Sequence, residues 1–160
     1  ALIKKFLEGR ISFSKEVVVW GTGHATREFL YVEDAAEAVV LATEKYDKPD
    51  PVNIGSSFEI TIGDLAKLVA EIVGFGGKIV FDSSHPDGQP RRKLDVGRAR
   101  HEFGFVSKIK FEEGLRETIE WYIKNIIGSF EEILKGVDSN GLIKTVKVYG
   151  KQSRQKAKTA

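Results

Sequence analysis

Apolar positions along the chain switch repeatedly between the spacing of strands and the spacing of helices. Residues 16–20 are β-branched and end in an aromatic side chain, which predicts a buried strand, and residues 78–81 predict another. Residues 52–55 are a third, shorter strand candidate. Residues 33–45 and 62–73 are apolar at helical spacing, so each predicts a helix.

Three further helices are predicted from the same pattern. One covers residues 1–8 and is ended by Gly9, and a second covers residues 96–103 and is closed by Gly104. A longer one is expected over residues 111–125. Strands separated by helices predict an α/β fold with parallel or mixed strand pairing.

The predicted helix over residues 33–45 has an unusually wide apolar face. Glu33, Glu37 and Glu44 form one polar stripe, and alanine, valine and leucine cover most of the remaining surface. Such a helix needs apolar partners on two sides.

Capping residues delimit the next helix, and a long loop follows the strand after it. Thr61 and Asp64 have the spacing of a capping box, and Gly74 is placed to end the helix. Residues 82–92 hold two of the four prolines and no periodicity, so they predict a surface loop. The basic cluster at residues 90–93 is either a solvated run of charge or an anion contact.

Composition narrows the class of protein. The chain has 160 residues, of which 41% are hydrophobic and 30% charged, so it has enough apolar side chains for a folded core. It contains no cysteine, which excludes disulfides, thiolate metal sites and a cysteine nucleophile. No apolar run approaches the roughly 20 residues needed to cross a bilayer, so a soluble protein without membrane partners is predicted. The absence of methionine, even at position 1, suggests a piece of a longer protein.

Charge is distributed unevenly along the chain. Residues 144–160 contain six basic and no acidic side chains, whereas the rest is mildly acidic. We therefore divide the chain into a folded part, residues 1–127, and a basic tail, residues 128–160. The tail is either a solvated terminus or a segment that binds an anionic partner; nucleic acid is not expected, since Tyr149 is the only aromatic residue within 144–160.

The glycine-rich segment over residues 21–26 resembles the start of a dinucleotide-binding fingerprint but fails as one. Thr26 occupies the sixth position, where a small residue is needed, and an extended segment instead of a helix is expected after it. The turn is expected to aim Arg27 at a target. That guanidinium either grips a phosphate or carboxylate through two parallel hydrogen bonds or forms a surface ion pair with Glu28 or Glu33.

No metal or triad motif is predicted. The histidines, His24, His85 and His101, have no partner at metal-ligand spacing. Ser84, His85 and Asp87 include the residue types of a catalytic triad, but neighbours on one loop rarely have its geometry. We interpret them as loop residues.

Seven blocks of the sequence stand out by their order and spacing: Val17 to Gly23, Arg27 to Asp34, Asn53 to Gly55, Phe81-Asp82, Pro86 to Arg91, Leu94 to Val96, and Glu112 to Thr118. Together they resemble the C-terminal part of the GDP-L-fucose synthase family. These enzymes are extended short-chain dehydrogenases/reductases of the NAD-dependent epimerase/dehydratase group. The resemblance covers residues 1 to about 125.

The resemblance implies an NADPH-dependent enzyme that epimerises GDP-4-keto-6-deoxy-mannose at two carbons and reduces it to GDP-L-fucose. It also implies that this chain is the C-terminal substrate-binding portion of an extended Rossmann-type enzyme and lacks the N-terminal nucleotide-binding sheet. The family's cofactor fingerprint and catalytic residues then lie upstream of residue 1. The resemblance thus implies that NADP is bound by the missing domain, that this chain is inactive alone, and that the full-length parent is a cytoplasmic homodimer.

By the same resemblance, four residues are expected to bind the GDP-sugar: Lys5, Trp20, Arg27 and Lys78. No catalytic, cofactor-binding or metal-binding residue is assigned in this chain. Fixed cations and an aromatic wall suit a ligand with two phosphates and a flat base. From the residues alone, core packing is the alternative role for Trp20.

Two alternatives remain open. The chain could instead come from a sibling epimerase or dehydratase that acts on a UDP- or dTDP-sugar. It could also be a non-catalytic module that binds anions through its basic tail, in which case binding is salt-sensitive and is lost when residues 144–160 are deleted.

Overall fold

A computed structural model provides the structure of the protein and describes residues 1–127. The elements in chain order are α1 (Leu2–Ile11), β1 (Glu16–Trp20), β2 (Thr26–Glu28), α2 (Val32–Lys45), β3 (Glu59–Thr61), α3 (Ile62–Val73), β4 (Lys78–Asp82), β5 (Arg91–Arg92), α4 (Gly97–Phe103), α5 (Phe111–Tyr122) and a π-helical turn (Ile123–Ile127). The sequence pattern also suggests one or two helical turns over residues 130–135 and a strand over residues 142–148. Both lie outside the described residues.

The described strands form two small sheets. In the first, β1 and β4 are parallel, with Glu16 opposite Lys78 and Trp20 opposite Asp82. In the second, β2 lies between β3, which is antiparallel to it, and β5, which is parallel to it. The predicted α/β class with mixed pairing is confirmed.

The main core lies where α1 packs against β1 and α3. In this core the aromatic rings of Phe6 and Phe75 pack edge to face, with their centroids 5.5 Å apart. Successive residues of β1 alternate between exposed and buried, so the strand is covered on one face only. This corrects the sequence pattern, which predicts a buried strand. The core side chains here are Phe6, Leu7, Val17, Val19, Leu65, Val69, Val73 and Phe75.

Gly9 does not end the first helix, which corrects the sequence prediction. α1 continues to Ile11, and Gly9 is buried inside it. A Cβ at this position would lie 2.7 Å from Cγ2 of Val17 and 3.1 Å from the ring of Phe75. The glycine is therefore explained by the close approach of α1 to β1 and not by helix termination.

A second cluster of buried residues forms around Ala38 of α2 and Phe103 of α4. Residues 52–54, predicted as a strand, are not a strand. Val52 and Ile54 instead pack against this cluster, and the side chain of Asn53 donates to the carbonyl oxygen of Asp95 at 3.3 Å. Their apolar character reflects packing against helices and not strand pairing.

The predicted caps of α3 are confirmed. Oγ1 of Thr61 accepts a hydrogen bond from the backbone N–H of Asp64 at 2.9 Å and donates to the Asp64 carboxylate at 2.7 Å. At the other end, Gly74 has φ = 69°, in the left-handed region, and its N–H bonds carbonyls of the last turn. Gly104 closes α4 in the same conformation.

The wide apolar face of α2 is not fully covered. Val32, Val39 and Val40 are 70%, 58% and 56% exposed.

Asp34, in the first turn of α2, is buried and accepts hydrogen bonds from the Ser107 hydroxyl and the N–H groups of Lys108 and Ile109. Burial alone would raise the pKa of Asp34, but these hydrogen bonds hold it below its usual range.

The chain divides into two compact units, Ala1–Glu117 and a second that starts at Thr118. Of the second unit, residues 118–127 are described: the end of α5 and the π-helical turn, where the Asn125 side chain donates to the Trp121 carbonyl oxygen at 2.8 Å. The α-helix predicted over residues 111–125 therefore ends earlier, at Tyr122. The predicted boundary between a folded part and a basic tail at residue 127 stays a prediction.

Within residues 1–127, the helices are too short and too polar to cross a lipid bilayer.

Candidate anion-binding site

A glycine turn follows β1 and leads directly into β2. Gly21 and Gly23 have φ values of 86° and 81°, which L side chains rarely adopt, and the N–H of Gly63 donates to the Gly23 carbonyl at 2.8 Å. After the turn the chain enters the strand β2 and not a helix. A helix N-terminus is needed to hold a dinucleotide pyrophosphate, so these residues do not fit NADP, in agreement with the sequence interpretation.

Arg27 lies at the centre of β2, and backbone carbonyl groups fix its guanidinium. Nη1 donates to the carbonyls of Thr26 at 2.6 Å and Gln89 at 2.8 Å, and Nη2 donates to that of Asp87 at 3.4 Å. Neither Glu28 nor any other acidic side chain within residues 1–127 pairs with it. The surface ion pair considered from the sequence is absent from this part of the chain, and the positive charge of Arg27 is not neutralised there.

The geometry leaves Arg27 able to bind an anion through two donors. A guanidinium has five N–H groups, and the carbonyls take two on Nη1 and one on Nη2. The Nε–H and one N–H of Nη2 have no acceptor within residues 1–127 and can donate to a ligand. Two donors on one guanidinium can bind two oxygens of a phosphate or carboxylate.

An open pocket of about 420 Å³ adjoins this guanidinium and is lined by Arg27, Gln89 and Arg92. Arg27 and Arg92 are register partners on the parallel strands β2 and β5. Like charges on neighbouring positions of a sheet repel each other, and no acidic side chain within the described range pairs with Arg92. A bound anion would relieve this repulsion, so the pocket suits an anionic ligand.

The neighbouring Arg91 is not available to a ligand. Its guanidinium makes a forked ion pair with Glu59 on β3, with Nε 2.8 Å from Oε1 and Nη2 2.9 Å from Oε2. Hydrogen bonds from Arg91 and Thr26 lower the pKa of Glu59 to about 2. Of the basic cluster 90–93, therefore, Arg92 lines the pocket and Arg91 is a structural residue.

Trp20, at the end of β1, is 64% exposed, so core packing does not explain it. Its indole stacks on the His85 ring, with centroids 4.3 Å apart and planes at 7°. The ammonium group of Lys5 is 5.2 Å from the indole centroid and donates to the Val18 carbonyl at 2.9 Å. Lys5 and Trp20 are therefore brought together, as expected of residues that share a site.

His85 is oriented by Asp82 at the end of β4. Nδ1 of His85 lies 3.0 Å from Oδ2 of Asp82, and the Ser84 hydroxyl donates to Oδ1 at 2.6 Å. Hydrogen bonds from Ser84 and His85 keep the pKa of Asp82 below its ordinary value. Ser84 and Asp82 both contact the same ring nitrogen of His85, and Ser84 donates to Asp82, so these three residues form an anchored turn and lack the arrangement of a triad.

Comparisons with known proteins show which families the chain resembles. Residues 1–55 match the family described as the NAD dependent epimerase/dehydratase family. The chain is 49% identical over 129 residues to the probable GDP-L-fucose synthase 1 of Oryza sativa subsp. japonica, an alignment that covers 81% of this chain and 39% of the relative. The resemblance to the GDP-L-fucose synthase family is confirmed. The chain spans about two fifths of the length of the curated relatives it matches.

Solved structures show the same fold. A GDP-L-fucose synthetase from Naegleria fowleri bound to NADP superposes with a TM-score of 0.73 at 28% identity, over 78% of this chain and 39% of that one. A UDP-glucose 4-epimerase from Thermotoga maritima with UDP-glucose gives a TM-score of 0.66 at 31% identity, over 78% and 40%. The fold of the chain is therefore similar to that of part of the extended Rossmann-type epimerases and reductases.

One of the four predicted ligand residues stands apart from Trp20. Lys78 begins β4 opposite Glu16, whereas Trp20 lies opposite Asp82 at the other end of the sheet. Four residues of strand separate the two ends by about 13 Å. The structure does not bring Lys78 together with Trp20, and its ligand role stays a prediction.

Five residues that line or support the candidate site are not among the four ligand residues predicted from the sequence. Arg92 was visible only as part of a basic cluster, and the contacts of the others link positions more than 60 residues apart, which no local pattern records. The same part of the chain, residues 1–127, holds no group of three acidic or histidine side chains able to bind a metal. The missed residues are Thr22, His85, Asp87, Gln89 and Arg92.

Proposed function

We propose that this chain is the GDP-sugar-binding part of an NADPH-dependent GDP-4-keto-6-deoxy-mannose 3,5-epimerase-4-reductase, a GDP-L-fucose synthase. The observation that carries the proposal is Arg27, whose guanidinium is held by carbonyls, has no carboxylate partner within residues 1–127 and borders an open pocket beside Arg92. The similarity to GDP-L-fucose synthases supports the identity of the ligand.

In this proposal, the residues of the chain bind and orient the substrate. The free edge of Arg27 grips the diphosphate, and Arg92 supplies a second positive charge. Trp20, stacked on His85 and near Lys5, provides an aromatic wall. Fixed positive charges lower the energy of a doubly charged diphosphate and set the position of the attached sugar.

The chemical steps fall outside this chain in the proposal. The glycine turn does not fit NADP, so we assign cofactor binding to a part of the parent enzyme that this sequence does not contain. The same holds for the proton-transfer groups. The chain alone is expected to bind ligand without turnover, and the parent is expected to be a cytoplasmic homodimer. Light scattering and cell fractionation of the parent test the last two points.

Binding of GDP to the 160-residue chain, measured by isothermal titration calorimetry, tests the proposal. We expect Arg27→Ala to weaken binding about 10- to 100-fold, because charge-assisted hydrogen bonds contribute about 1.5–3 kcal/mol. Arg27→Lys keeps the charge but not the fork, so it should recover only part of the affinity.

Arg116→Ala is the matched control for this experiment. Arg116 pairs with Glu112 on the surface of α5, one helical turn away in sequence, so its removal should leave GDP binding unchanged. Equal binding of GDP by the Arg27→Ala variant, with an unchanged thermal melt, would rule out the proposed site.

A sibling enzyme acting on a UDP-sugar is the second candidate. The likeness to the Thermotoga maritima protein, which was solved with UDP-glucose, favours it. Competition between GDP and UDP in the same titration distinguishes the two. Tighter binding of UDP would favour the sibling, since both ligands offer the same diphosphate to Arg27 and differ in the base.

A further inference from the structure

A carboxylate pins the loop between β4 and β5 to the glycine turn. Oδ1 of Asp87 accepts the backbone N–H of Thr22 at 2.6 Å, and Oδ2 accepts the Thr22 hydroxyl at 2.6 Å. Both oxygens of one carboxylate are thereby used on one residue of the turn. These hydrogen bonds hold the pKa of Asp87 below its ordinary value, so the charged acceptor is present near neutral pH.

The turn is shaped to admit this carboxylate. A Cβ at Gly21 would collide with Oδ1 of Asp87, and the φ of Gly21 is 86°. A side chain at this position would therefore meet both backbone strain and a steric clash. The contact between the turn and the loop depends on the glycine as well as on Thr22 and Asp87.

The same loop presents the carbonyls that hold Arg27. The carbonyl of Asp87 accepts from Nη2, and that of Gln89, two residues later, accepts from Nη1. The carbonyl of Pro90 accepts the N–H of Thr26 at 2.9 Å. No helix or strand covers residues 83–90. The Thr22–Asp87 contact anchors this segment at residue 87, and the ion pair of Arg91 with Glu59 anchors the strand that follows it.

We propose that Thr22 and Asp87 are positioning residues for nucleoside diphosphate binding: by anchoring the loop, they hold the carbonyls of Asp87 and Gln89 that orient the Arg27 guanidinium. This inference rests on the proposed function, in which Arg27 grips the diphosphate. The Thr22 hydroxyl donates to Asp87 and also accepts the N–H of His24 at 3.3 Å within the turn, so both residues act on the ligand through Arg27.

The inference makes a specific prediction about the loss of the anchor. Without it, Arg27 keeps its charge but loses its fixed orientation, so the two-donor grip is lost and simple charge attraction remains. Removal of the Thr22 hydroxyl should then have the same consequence as replacing the fork of Arg27 by the single ammonium group of lysine.

GDP binding to the 160-residue chain tests this. We expect Thr22→Val and Asp87→Asn each to weaken GDP binding about 3- to 10-fold, and Thr22→Ser, which keeps the hydroxyl, to retain it. Thr43→Val makes the same chemical change on α2, where Thr43 bonds only the Val39 carbonyl, and should leave binding unchanged.

A double-mutant cycle separates positioning from general structural damage. In the Arg27→Lys background, Thr22→Val should cause little further loss, because the fork that the anchor orients is already absent. An equal loss in both backgrounds, or no loss in the wild-type background with an unchanged melt, would overturn the positioning role. Arg27→Ala reports on the proposed function separately: if that variant weakens GDP binding and Thr22→Val does not, only the positioning role fails.

Discussion

At the scale of single residues, Arg27 and Arg91 lie on adjacent strands but differ in whether a carboxylate neutralises their charge. Arg91 is neutralised by Glu59, whereas Arg27 is held by carbonyls that carry no net charge. The sequence shows both as cations in short polar segments. The difference arises because Glu59 reaches β5 from the far side of the three-stranded sheet, which only the strand order establishes.

The ion pair of Glu59 predicts a pH dependence of stability. Its pKa is about 2 in the folded protein and 4.5 as the reference value, so its contribution is present above about pH 4.5 and is lost as the pH falls towards 2. We expect Glu59→Gln to lower the Tm at pH 7 and the difference from wild type to close between pH 4.5 and 2. Thermal melts across this range, with the exposed Glu113→Gln as control, measure it. A Tm difference that stays constant down to pH 2 would contradict the assignment.

At the scale of elements, the predictions were correct for the helix with clear caps and failed for the shortest strands. α3 has both of its caps in the sequence, and its bounds were predicted correctly. β3 and β5 are three and two residues long. Such short strands show no alternation and depend on pairing with β2 for their existence, so the sequence could not reveal them.

The N-cap of α3 provides a prediction at this scale. Thr61→Ala removes the acceptor for the Asp64 N–H and should destabilise the protein by about 1 kcal/mol, whereas Thr61→Ser should be close to wild type. Urea denaturation measures both. Thr43→Ala in the last turn of α2 is the control, because alanine is the best helix former and no stability should be lost there. A loss at Thr43 equal to that at Thr61 would show that the cap is not the cause.

At the scale of the whole molecule, the loop after β4 joins the parts of the candidate site. It places His85 on Trp20, Asp87 on Thr22 and the carbonyl of Gln89 on Arg27. The resemblance nominated Trp20 and Arg27 separately. Their connection through one loop is a property of the folded chain.

The exposed valines of α2 give a prediction about behaviour in solution. Exposed apolar side chains in one stripe favour association. We expect Val39→Ser and Val40→Ser each to reduce concentration-dependent light scattering with little change in Tm. Val106→Ser is matched in exposure, at 55% against 58% and 56%, but lies in the loop between α4 and α5 and not on α2, and should have no effect. An equal effect of all three would show that general polarity, and not the stripe, governs association.

The sequence by itself determined the α/β class, both strands of the parallel sheet and the bounds of the well-capped helix, and it nominated Arg27 as a ligand residue. These depend on periodicity, on capping chemistry and on family motifs, which are local in the chain. Only the tertiary structure decided that Gly9 serves close packing, that residues 52–55 are not a strand, that Arg91 is neutralised and that Asp87 accepts both hydrogen bonds from Thr22. Each of these depends on atoms brought together from distant positions, and hydrogen bonds and packing act on distance in space, which local sequence patterns do not encode.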